Sequence, residues 1–149
     1  MNFKATICIL FFLMVSFMFG QNQLELAILE KSELPTSQPE HFYLLNVTNN
    51  STESKVIDLF AINSVDCDLP NNQTVLNQDI LDLDKTTALA EVIVDAGESR
   101  KFYIKVYRSL NTPLERWNCS KVYAKYKDNS ETSNYVYIKT FIPNPDNFN

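Results

Sequence analysis

Glycine and histidine are nearly missing from this 149-residue chain. It has two glycines, of which only Gly97 lies beyond the first twenty residues, and one histidine, His41. A nucleophile needs a base beside it, and a single histidine at the start of a strand-like run leaves none to spare. Neither G-x-S-x-G nor H-E-x-x-H occurs, and carboxylates are plentiful without any pattern that sets two of them in a cleft, so no enzyme is read here. Two mature cysteines and one histidine cannot assemble a zinc site of the usual spacing, and no cofactor is implied. Basic runs are absent as well. The formal charge is −5, which argues against nucleic acid as a partner. No amphipathic helical stretch of useful length, internal repeat, low-complexity tract or second domain is found.

The one long apolar run lies at the N-terminus. After Lys4, residues 5–19 are almost wholly apolar, about the length of a secretory h-region and short of the roughly 20 residues a spanning helix needs. Residues 1–20 therefore read as a signal peptide cut after Gly20, although Met18 fits the small-residue pattern poorly; a retained N-terminal anchor is the alternative. No cysteine follows the cut, which disfavours a lipoprotein. Residues 21–149 are then a single domain, secreted, periplasmic or cell-surface, with no further membrane span and a charge of −6 once Lys4 is gone.

What is present is alternation. Asp95-Ala96-Gly97-Glu98 reads as a tight turn with glycine third, since Gly97 takes φ > 0 without steric cost. Residues 92–94 and 100–107 read as the two arms of a hairpin around it, with Phe102, Ile104 and Val106 on the buried face against Lys101, Tyr103, Lys105 and Tyr107; in a sandwich this turn is a corner, and those lysines and tyrosines are expected on the sheet opposite the last two strands. Residues 24–29 form a first strand. Residues 41–48 alternate Tyr43, Leu45 and Val47 against Phe42, Leu44 and Asn46, and stop at Asn49-Asn50-Ser51. Residues 56–63 are apolar almost throughout, with Asp58 the one charge, the pattern of a central strand buried on both sides. Residues 75–90 hold Ile80, Leu81 and Leu83 among aspartates, either an edge strand or one helical turn. After Trp117-Asn118-Cys119-Ser120, residues 122–127 alternate Val122, Ala124 and Tyr126 with lysines and Tyr123. Asp128-Asn129-Ser130 make a loop, and residues 135–140 are the last strand. Seven or eight short strands spaced by about ten residues predict an all-β, immunoglobulin-like antiparallel sandwich.

Cys8 leaves with the signal, so Cys67 and Cys119 form an even pair in an exported chain. They read as a disulfide, with two buried thiols as the alternative. In the sandwich the third strand and the sixth, residues 122–127, are antiparallel neighbours. Cys67 lies just past one and Cys119 just before the other, so the bond is expected to clip the rim of that sheet.

Tyr43-x-Leu45-x-Val47-Thr48-Asn49-Asn50 resembles the second strand of bacterial fibronectin type III-like and CARDB-like modules. Ala96-Gly97-Glu98-Ser99 with Phe102-x-Ile104-x-Val106 is similar to their turn and fifth strand, and Trp117-Asn118 with Val122-x-Ala124 to the start of their sixth. The resemblance implies a non-catalytic sandwich used for spacing, adhesion or ligand contact, and assigns no binding residue.

Charge is unevenly placed. Residues 21–99 hold three basic and fourteen acidic side chains, and residues 100–149 nine and four. Lys121, Tyr123, Lys125, Lys127, Tyr135, Tyr137 and Lys139 fall on one outward face of the last two strands. Tyrosine offers rigid contact area and lysine attracts acidic groups, so Tyr123, Tyr135, Tyr137, Lys121, Lys125 and Lys139 are the candidate contact residues for a protein or a surface polysaccharide. The competing reading is that these are good strand formers, with Lys protecting an edge and Asp58 pairing across. A third reading, a secreted inhibitor, needs a protruding loop, for which residues 66–84 are the candidate. Asp79, Asp82 and Asp84, with Asp66 and Asp68, offer oxygen ligands to calcium, but a solvated acidic loop fits their spacing better. Trp117 either stacks on a sugar or covers an end of the core. Five N-x-S/T triplets, at Asn46, Asn49, Asn50, Asn72 and Asn118, match the N-glycosylation pattern.

Overall fold

The computed structural model describes residues 23–129 and 131–148; the expected signal segment and Ser130 lie outside them. Eight strands appear in chain order: β1 (Leu24–Glu30), β2 (Glu40–Asn49), β3 (Lys55–Asn63), β4 (Asn77–Leu81), β5 (Glu91–Val94), β6 (Ser99–Tyr107), β7 (Arg116–Tyr126) and β8 (Val136–Ile142). A 3₁₀ turn follows at Pro145–Phe148. They form two antiparallel four-stranded sheets in the orders β1-β2-β6-β4 and β5-β3-β7-β8. This is the expected all-β sandwich.

The period of two in each strand is what builds the core. Leu24 and Leu26, Leu45 and Val47, and Phe102, Ile104 and Val106 face inward from the first sheet. Ile57 and Leu59, Val92 and Val94, Val122, Ala124 and Tyr126, and Ile138 and Ile142 meet them from the second. Fully burying each aliphatic or Phe side chain contributes about 1.5–3 kcal/mol relative to leaving it in water.

Between β3 and β6 the chain changes sheets three times. Residues 75–90 resolve as an edge strand of the first sheet, β4, followed by a turn capped by Asp84; β5 then returns to the edge of the second sheet. Here the hairpin reading fails. The turn at Gly97 is present, with Glu98 N donating to Asp95 O at 3.0 Å and Gly97 at φ 74°, but β5 pairs with β3 while β6 pairs with β2 and β4. Val92 and Val94 thus cover the same core from the side opposite Phe102 and Ile104. Alternation on two flanking runs is equally compatible with a shared ladder and with a corner between sheets, because both bury one face of each run.

Buried side-chain amides close the two ends. At one end Asn49 donates to Glu53 O (2.8 Å) and Val94 O (2.9 Å), and accepts from Ser51 N, Ser51 Oγ and the Tyr126 hydroxyl (2.7 Å). At the other, Asn118 donates to Asn63 Oδ1 (2.6 Å) and Thr74 O (3.0 Å), Ser120 donates to Asn118 Oδ1, and Asn63 exchanges hydrogen bonds with the backbone of Leu76. A third amide guards an edge. Asn134 accepts from Leu26 N and donates to Leu26 O, both at 2.8 Å, so it occupies the backbone groups that edge strand β1 turns away from β2.

His41, at the start of β2, is buried, with its Nδ1 3.1 Å from Ser32 Oγ. Burial pushes its pKa below the ordinary 6.5, and nearby Arg108 acts in the same direction. The unfolded chain therefore binds the proton more readily than the native one, so stability falls as pH drops below 6.5 and is regained above it. Thermal melts of wild type and His41→Gln across mildly acidic pH should show this: the slope of Tm with pH in that window flattens in the variant.

Candidate functional site

β5, β3, β7 and β8 lie side by side, so their outward side chains form rows across the sheet. Ile62, Lys121 and Tyr137 make one row, Phe60 and Tyr123 the next, Asp58 and Lys125 with Glu91 a third, and Val56 and Ile93 a fourth. Tyr135, just before β8, extends the second row, its ring 5.8 Å from Tyr123. The face thus gathers the expected Tyr123, Tyr135, Tyr137, Lys121 and Lys125. Lys139 stands one row beyond, opposite Cys119, and donates to Asp68 O at 3.2 Å.

Its apolar half was not legible as surface. The run 56–63 reads as buried on both sides, yet only Ile57, Leu59 and Ala61 turn to the core. Val56, Phe60 and Ile62 face outward; Val56 and Phe60 are half-buried there, Ile62 is 44% exposed, and Ile93 on the neighbouring β5 is 72% exposed. Asp58 was the available signal, since it shares the phase of Phe60 and Ile62 and a lone carboxylate belongs on the wet side.

Ring and charge geometry limit what this face can do. Phe60 and Tyr123 are stacked on one another, centroids 4.8 Å apart and planes 12° from parallel. The Lys121 ammonium lies 3.9 Å from the centre of Tyr135 and 6.0 Å from that of Tyr137. The rings spend part of their flat surface on each other and on lysine, so they are not laid open as a platform for a sugar. The lysines are also answered. Lys121 meets Asp66 at 3.1 Å, which holds the ammonium above its ordinary pKa and the carboxyl below its own; Lys127 meets Glu91, and Lys125 stands across from Asp58. The acid-rich first part of the chain and the base-rich remainder thus neutralise each other in space.

Cys67 and Cys119 are bonded, with Cα atoms 5.9 Å apart. Cys119 is not outside its strand but four residues into β7, on the outward side, because Trp117, Asn118 and Ser120 already belong to the ladder with β8. The β3–β7 ladder ends at Asn63 and Ser120, one residue short of Cys119, so the bond clips that end of the sheet as expected, and it does so on the outer face. Trp117 lies in that phase too, packed on Phe141 with centroids 5.0 Å apart, so it does not cover an end of the core.

Residues 66–84, the candidate inhibitor loop, do not form one free loop. Their first part is fixed by the disulfide, Asp66 and the Asn63–Leu76 bonds, and their second part contains β4, paired with β6. The aspartates disperse: Asp82 pairs with Arg100 at 2.9 Å, while Asp84 accepts from Thr86 N, Thr87 N and Thr87 Oγ1, which pulls its pKa down. Among the described residues no cluster of three or more His, Cys, Asp or Glu side chains could hold a metal ion, and no helix is long and apolar enough to cross a membrane. Of the N-x-S/T asparagines, Asn49 and Asn118 are fully buried. Lys101, Tyr103, Lys105 and Tyr107 lie on β6, in the opposite sheet, and do not extend this face.

No protein-family model matches the chain, and no curated protein sequence matches it. Among solved structures it is similar to the FixG-related protein from Vibrio parahaemolyticus, with a TM-score of 0.58 at 12% identity, covering 83% of this chain and 98% of that one. The CooA pilin subunit from enterotoxigenic Escherichia coli (TM-score 0.46, 11% identity, 83% and 99% covered) and PapD-like domain 7 of human CEP192 (0.42, 11%, 83% and 87%) are more distant. At such identity the likeness is one of fold, an immunoglobulin-like β-sandwich.

Proposed function

We propose that residues 21–149 act, after export and removal of residues 1–20, as a non-catalytic interaction module at the cell surface or in the envelope, contacting a protein partner through the outer face of β5-β3-β7-β8. The observation that carries this reading is the outward apolar side of β3, with Ile62 exposed and Val56 and Phe60 half-buried, flanked by Tyr123, Tyr135, Tyr137 and the exposed Ile93. Apolar and tyrosine side chains ringed by satisfied lysines are the composition of a protein contact, an apolar centre with a polar rim. The Cys67–Cys119 bond supports an oxidising compartment, and the resemblance of β2, β6 and β7 to fibronectin type III-like and CARDB-like modules supports an adhesive or spacing role. A polysaccharide partner is the weaker reading, because the ring planes are already engaged.

Tyr123→Ser with Tyr137→Ser tests the face. Retention of a partner from the envelope fraction should weaken by tenfold or more, since loss of interface aromatics costs on the order of 1–2 kcal/mol each, with the far-UV spectrum unchanged. Undiminished retention would sink the proposal, and a tyrosine or tryptophan fluorescence change on adding surface polysaccharide would favour the sugar reading.

A further inference from the structure

The first sheet's outer face carries a separate cleft of about 390 Å³. Phe42, Leu44 and Tyr103 line it from β2 and β6, and Glu30, Ser32 and Glu33 from the segment after β1. The Phe42 and Tyr103 rings stand at 86°, centroids 6.4 Å apart. Over them sits an ammonium, that of Lys85, 4.6 Å from the centre of Tyr103 and 5.3 Å from that of Phe42. The turn after β4 delivers it: Asp84 caps Thr86 and Thr87, Lys85 N donates to Asp82 O at 2.9 Å, and Lys85 takes φ 60°.

We infer that this cleft receives a lysine side chain of a protein partner, and that Lys85 is its tethered stand-in. Two aromatic faces at right angles with carboxylates beside them is the chemistry that recognises an alkylammonium. Neither Glu30 nor Glu33 has an ion-pair partner among the described residues, and Lys85 has none either, its contacts being the two rings. Once Lys85 withdraws, the two glutamates outweigh Lys31, the cleft's other charged residue. Lys105 lies 5.6 Å from the Phe42 ring but is held by Glu40 at 2.6 Å, so it is a fixed neighbour and not an occupant. The site is independent of the contact face on the opposite sheet.

The test is an NMR titration of the purified protein with N-acetyl-lysine-methylamide, and with N-acetyl-norleucine-methylamide as its neutral isostere. Wild type should show shifts at Phe42, Tyr103 and Ser32 with the lysine probe alone. Lys85→Gln should bind that probe about two- to five-fold more tightly, the worth of an exposed cation–π contact, and adding Tyr103→Leu should abolish the gain. Equal binding of the neutral probe, or no tightening in Lys85→Gln, would overturn the inference.

Discussion

Replacing Cys67 and Cys119 together by alanine should lower the free energy of unfolding by about 4 kcal/mol, the loop-closure value for the 52-residue separation and an upper estimate. The other restraints on the crossover after β3 cannot make up the loss. The Lys121–Asp66 pair is exposed on its acidic side and contributes little, and the Asn63–Leu76 bonds act only at the loop's far end. Urea unfolding of the oxidised protein, the reduced protein and the double variant measures the effect. Reduced and double-variant proteins should unfold at matching, lower urea concentrations with the far-UV spectrum retained. A loss below about 1 kcal/mol, the worth of one hydrogen bond, would show that the amide network alone holds the crossover.

Asn49→Ala should cost about 3–4 kcal/mol. The substitution strands the carbonyls of Glu53 and Val94 and removes the acceptor shared by Ser51 and Tyr126, and each buried polar group left without a partner costs about 1–3 kcal/mol. Tyr126→Phe should cost about 1 kcal/mol, because it removes one hydroxyl proton, which is within reach of both Asn49 Oδ1 and Gln23 O and serves one at a time. The two effects should fall short of adding, since the residues share a hydrogen bond. Chemical denaturation of the two single variants and the double reads the coupling. Asn49→Asp separates the roles of the amide: it keeps the acceptor and turns the donor into an oxygen facing two carbonyls, so it should be no more stable than Asn49→Ala.

Asn49 also marks where reading the sequence stops. A short polar residue at the end of an alternating run is a turn signal whether its side chain meets water or three elements of the fold, and only the tertiary arrangement distinguishes them. The strands themselves were legible, because a half-buried strand must alternate, and so were the Lys/Tyr residues of β7 and β8. The apolar part of the contact face was not. Phe60 and Ile62 on a central strand look like core until it is known that the sheet has one bare side. The pairing of Cys67 with Cys119 followed from there being two mature cysteines, but its placement on the outer face depended on where β7 begins. That β6 lies in the sheet opposite the last two strands was legible, but that β5 joins β3 instead of β6 was not, since Gly97 specifies a turn and not which neighbours its arms will find.

The amide of Asn134 has a consequence for the order in which the molecule is assembled. Leu26 and Asn134 are 108 residues apart in sequence, and the Tyr126 hydroxyl reaches Gln23 O across 103. β1 and the residue before it are thus held in part by groups made about a hundred residues later. Contacts so distant are slow to form, because the chain entropy of closing them is lost before they give any return. β1 can pair with β2 once both have been made, but its outer edge stays uncovered until the β7–β8 connection has formed, and is available for wrong pairing throughout that interval.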